Sequence, residues 1–131
     1  MSFRMKTLGG ALAAGAAAVM FAAGPAVAGT DSYVNTTDPF NGGAAGFVAN
    51  GEIFTVCDNR SDGMRASAHI GWIDSSASHW IKLEDANGSG NSCAKLNLAI
   101  GEGEAVTIEV CLKDGANGTP RYCATDRSGR A

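Results

Sequence analysis

Helical periodicity is the scarcest feature of this chain. Beyond its first segment no dozen residues keep apolar positions at three-and-four spacing, which excludes a helical domain. There are 3 prolines, and no Pro/Ser-rich stretch or shift of composition breaks the remainder, so nothing divides it into two domains. Basic residues are few, 10 against 13 acidic, and Arg4 and Lys6 belong to the first segment. That balance argues against nucleic acid and anionic surfaces as partners, whose binders carry a basic excess. No Gly-x-Ser-x-Gly elbow occurs. The 2 histidines, His69 and His79, fall on opposite parities of neighbouring segments, so no nucleophile meets a base. The expectation is a protein that is not an enzyme and needs no cofactor.

What is present begins with Arg4 and Lys6, which run into an Ala/Gly/Val stretch from Leu8 to Ala23 closing on Pro25 and Ala26-Val27-Ala28. This is the pattern of a secretory signal peptide over residues 1–28, cleaved after Ala28. As a membrane anchor the stretch is poor, because Ala and Gly partition weakly into hydrocarbon and no basic stop-transfer cluster follows. No later segment is long enough to span a bilayer, so residues 29–131 read as a single secreted, extracellular domain. In an oxidising exterior its 4 cysteines read as two disulfides.

Period-two alternation recurs through that domain. Val106, Ile108, Val110 and Leu112 share one parity, against Thr107, Glu109, Cys111 and Lys113 on the other. Ala94, Leu96, Leu98 and Ile100 alternate in the same way, and Gly101-Glu102-Gly103 between the two segments predicts a hairpin. Asn50-Gly51 joins the segments 46–49 and 52–57, where a type I′ turn is expected. With strands over 67–74, 78–84 and 121–126 and a short piece over 32–35, the count reaches about seven or eight short strands. The fold class is all-β, an antiparallel two-sheet sandwich.

Four cysteines allow three pairings. Cys57, Trp72 and Cys111 have roughly the spacing of an immunoglobulin bridge between sheets, but Cys111 shares its parity with Thr107, Glu109 and Lys113. Parity therefore favours Cys111–Cys123 across a terminal hairpin and leaves Cys57–Cys93. Loop-closure entropy assigns these bridges about 3 and about 4 kcal/mol, against a net stability of about 5–15 kcal/mol for such a domain.

The segments around the two tryptophans carry the surface chemistry. If Ile70 faces Leu83 and Trp72 faces Ile81, one face is apolar and the other carries His69, Ile73, Trp80, Lys82 and Glu84. An outward Trp80 beside Ile73 is a surface for stacking on sugar rings or anchoring a protein, unless a terminal segment or the second sheet covers it. Asp85, Asn87 and Ser89 echo the opening of a calcium loop, but Leu96 stands where a bidentate Glu is required, so no metal is expected.

The runs Gly42–Phe47, Val56–Gly63, Asp85–Cys93 and Val110–Gly115 resemble recurrent blocks of small secreted actinobacterial proteins of unknown function with four cysteines. That resemblance implies a compact extracellular β-sandwich and brings no catalytic or binding residue with it. Two functions fit. One is a secreted, non-catalytic module that binds an extracellular protein or glycan through the Trp80 face. The other is an inhibitor of a protease or other hydrolase that presents the loop 114–120, a role argued by analogy alone.

Overall fold

A computed structural model describes residues 29–131, and the signal peptide expected over 1–28 lies outside the described residues. The chain runs through eight strands: β1 (Ser32–Asn35), β2 (Gly43–Val48), β3 (Ile53–Asp58), β4 (Met64–Ile73), β5 (Ser78–Asp85), β6 (Ala94–Asn97), β7 (Ala105–Asp114) and β8 (Arg121–Arg130). They form two four-stranded sheets, in the orders β1-β2-β3-β6 and β5-β4-β7-β8, and every pair is antiparallel. The protein is an all-β two-sheet sandwich. Among the described residues no helix is long and apolar enough to cross a membrane.

Alternation builds the core. On β7 the side chains of Val106, Ile108, Val110 and Leu112 are all buried, and they meet Ala66, Ala68, Ile70 and Trp72 from β4. Ala45 and Phe47 of β2 and Phe54 and Val56 of β3 close the core from the other sheet. Fully burying a side chain of this size stabilises the fold by about 1.5–3 kcal/mol.

Three expectations are corrected. The segments 94–100 and 105–113 do not pair as a hairpin, since β6 lies against β3 and β7 lies between β4 and β8. Leu96 faces Phe54 and Ala94 faces Val56, while Glu52 accepts the Leu98 N–H on its carbonyl at 2.9 Å and the Ile100 N–H on its carboxylate at 2.8 Å. Residues 101–104 thus carry the chain from one sheet to the other. The β2–β3 hairpin is present, but positive φ falls on Gly51 (86°) and Glu52 (52°), not on Asn50 and Gly51 as a type I′ turn requires. The β4–β5 register differs from the expected one by two residues, with Ile70 facing Ile81 and Trp72 facing His79. A two-residue slip leaves every side chain on its expected face.

The disulfides are Cys57–Cys93 and Cys111–Cys123, with Cα–Cα distances of 4.5 and 4.1 Å. Each ties an outer strand to its neighbour, β6 to β3 and β8 to β7, and neither crosses the sandwich as an immunoglobulin bridge does. Because the apolar core remains when they open, reduction should lower the thermal midpoint and release the outer strands first. Thermal melts with and without a strong reductant test this, and an unchanged midpoint contradicts it.

Candidate functional site

The turn between β4 and β5 sets the geometry of the outer face. Asp74 follows β4 as the first residue of the turn, and its Oδ1 accepts the N–H groups of Ser76 (2.8 Å) and Ala77 (3.0 Å) and the Ser76 hydroxyl (2.6 Å). Its Oδ2 lies 2.8 Å from His79 Nε2. The Ser76 hydroxyl and amide, followed by the Ala77 amide and His79, hold this carboxyl far below the usual carboxylate range. His79 in turn stacks on Trp72, ring centroids 4.8 Å apart, on the inner side of the sheet. This four-residue turn sets the register that faces Gly71 with Trp80.

A Cβ placed on Gly71 would stand 2.8 Å from each of the Trp80 ring atoms Cδ2, Cε2 and Cε3. Equal distances to three ring atoms mean that the indole lies face-down across Gly71. Glycine within a strand commonly marks such a close approach. Nothing among the described residues covers the opposite ring face, and Trp80 is 61% exposed beside Ile73 at 69%. Beside the ring lies a cleft of about 220 Å³, lined by Gly71, Ile73, Ser78, Trp80, Glu104 and Thr107.

The other end of the face is charged. Glu84 Oε1 accepts from Lys82 Nζ (2.7 Å), Ser67 Oγ (3.1 Å) and Lys113 Nζ, and Oε2 pairs with Arg65 at 3.3 Å. Burial pushes the Glu84 carboxyl up, but the donors Lys113, Lys82, Arg65 and Ser67 outweigh it and hold the group down to about 2. Lys113 is buried although its parity pointed outward, because it reaches Glu84 on one side and donates to the Ala116 carbonyl at 2.9 Å on the other. Of the five residues expected on this face, Ile73 and Trp80 meet at the cleft while Lys82 and Glu84 join the ionic cluster. His69 sits between Lys82 and Glu109 in the register. Gly71, Ser78, Glu104, Thr107, Arg65 and Lys113 complete the two ends and escaped the sequence reading. The parity of β7 contained Thr107 and Lys113, but only the pairing of β7 with β4 brings them to this face.

The calcium-like loop that begins at Asp85 borders, with the segment 58–65, a polar pocket of about 280 Å³ that Asp58, Arg60, Arg65 and Ser89 help to line. Asp85 itself turns inward, and its Oδ2 accepts the Asp58 N–H at 2.8 Å. Burial, with Asp62 and Asp85 nearby, raises the Asp58 carboxyl above its ordinary value. Two arginines at the rim make this a poor cation site.

No family model matches the chain, and no curated protein matches it. Among solved structures it is similar to an endonuclease/exonuclease/phosphatase from Beutenbergia cavernae DSM 12333, with a TM-score of 0.54 and 22% identity. The match covers 75% of this chain and 26% of that one. A likeness of this degree shows the fold, and the chemistry in that protein's name is its own.

The Glu84 cluster has a pH signature. A carboxyl at about 2 when folded and 4.5 when free contributes stability above pH 4.5, lost as the pH falls towards 2. Glu84→Gln should lower the melting temperature at pH 7 and flatten the acid decline between pH 4.5 and 2 relative to the parent. Parallel acid slopes in the two proteins contradict this assignment.

Proposed function

We propose that the protein is a secreted, non-catalytic binding module that engages an extracellular partner through the Trp80 face. One observation carries the reading: the indole is seated across Gly71 with its other side open to solvent, beside a cleft with hydroxyl and carboxylate groups. A large exposed aromatic with polar neighbours is characteristic of a recognition surface. The leader pattern and two disulfides support an extracellular setting, in line with the resemblance to small secreted actinobacterial proteins. The non-catalytic part rests on the available groups. His69 and His79 face opposite sides of β4 and β5, all four cysteines are bridged, and Glu84 is held ionised by its donors.

The inhibitor reading has its own support in the β7–β8 loop. The Cys111–Cys123 bridge closes its base, Lys113 donates to the Ala116 carbonyl, and the Gly118 N–H donates to the Gly115 carbonyl at 3.3 Å. A loop held this way loses little entropy on docking. Inhibition of at least one member of a panel of serine and metalloproteases at micromolar protein is the expected outcome of this second reading, and uniform inactivity removes it.

For the primary reading, immobilised protein is offered culture-fluid and cell-envelope material of the producing organism. Trp80→Ala should lose retention of the bound material at a stability cost of about 1 kcal/mol or less. Tyr33→Ala, which removes an exposed aromatic of the other sheet, should retain it. Equal retention by Trp80→Ala and the parent contradicts the proposal.

A further inference from the structure

We propose that the partner is a glycan and that Trp80 is the stacking platform for one uncharged pyranose unit. This inference rests on the binding role given above to the Trp80 face and adds the chemistry of the ligand.

Size argues first. An aromatic side chain has roughly 150–250 Å² of surface, so an indole 61% exposed offers on the order of 100–150 Å². A standard protein interface takes about 800 Å² from each partner. Only Ile73 and the small Ala105 extend the apolar patch, and Lys82, Glu84 and Arg65 bound the far end of the same face with an ionic cluster. The cleft of about 220 Å³ is also below the roughly 300–1,000 Å³ of sites for larger ligands, and it suits one ring-sized unit.

Shape argues next. Because Gly71 has no side chain, the indole lies flat and presents a whole ring face. A pyranose with equatorial substituents has a complementary face, a flat set of axial C–H groups, with its hydroxyls projecting around the rim. The cleft beside the ring is lined by Ser78, Thr107 and Glu104, residues whose side chains carry hydroxyl and carboxylate groups suited to that rim. The two hydroxyls both donate and accept, and the carboxylate accepts, so together they can pair with sugar hydroxyls. Glu104 has no ion-pair partner among the described residues, so the cleft carries a negative charge that disfavours uronic or sialic acids and admits neutral sugars. Tyr33 on the other sheet lies opposite Gly46, but only its Cδ2 comes within 3.4 Å of the Cβ position there, so it presents no comparable flat seat.

The test titrates the full mature protein with cellohexaose and with chitohexaose, using a galacturonate oligomer as an anionic control. Binding is read by calorimetry and by protection of indole fluorescence from acrylamide. At least one neutral hexaose should bind and shield the indole, and the acidic oligomer should not. Trp80→Ala should weaken binding by about tenfold or more, the loss typical of a hot-spot residue. Gly71→Ala keeps the indole but forces it off its seat, and should weaken binding comparably while circular dichroism remains that of the parent. If Gly71→Ala does not fold, Trp80→Phe, a smaller ring on the same seat, should bind with intermediate affinity. Absence of binding to both neutral hexaoses, or binding that survives Trp80→Ala, overturns the glycan assignment. Capture of a protein through Trp80 in that case leaves the broader binding role standing, and no capture through Trp80 overturns both.

Discussion

Gly71 lacks a side chain, and the indole of Trp80 occupies the space where one would stand. That contact couples three levels of the structure. The turn held by Asp74 sets the β4–β5 register, and the register brings Trp80 opposite Gly71. The missing Cβ then lets the ring lie flat. Any side chain at position 71 would lift the indole, and a register slipped by two residues would place Lys82 over the glycine instead. The outer face would keep its composition and lose its shape.

The rest of the sandwich secures this display. The disulfides fasten the outer strands β6 and β8, where unpaired edges would otherwise fray or recruit other chains. The core between the sheets is mainly apolar packing of β2, β3, β4 and β7, joined by Ile100 and Ala131. At the far end of the displayed face, Glu84 gathers Arg65, Ser67, Lys82 and Lys113 into one cluster spanning β5, β4 and β7. Through Lys113 it also reaches the β7–β8 loop. The face is therefore braced at the charged end and open at the aromatic end, and the binding role proposed here uses the open end.

Much of the fold was legible because one-sided burial leaves a period-two trace. The alternation of Val106, Ile108, Val110 and Leu112 against Thr107, Glu109 and Cys111 identified β7, its inner face and, through Cys111, the preference for a Cys111–Cys123 bridge. Trp72 inward and Trp80 outward followed from the same parity. Pairing was less legible. Ala94, Leu96 and Leu98 fit either sheet, and it is Phe54 and Glu52, distant in sequence, that draw β6 to β3. The two-residue register error had a similar origin, since parity is blind to even slips and the Asp74 turn was not read. Lys113 is buried against its type because Glu84 comes from another strand, a pairing that local spacing does not reveal. The seat beneath Trp80 went unnoticed because glycine leaves no hydropathy signal.

The most direct measurement is the proton spectrum of Gly71 in solution. With the indole lying over it, the ring current should shift the Gly71 Hα resonances well upfield of their unstructured positions, and Trp80→Ala should return them. Gly71 Hα resonances at unshifted positions in the folded parent protein would contradict the account, because the flat platform would then not exist.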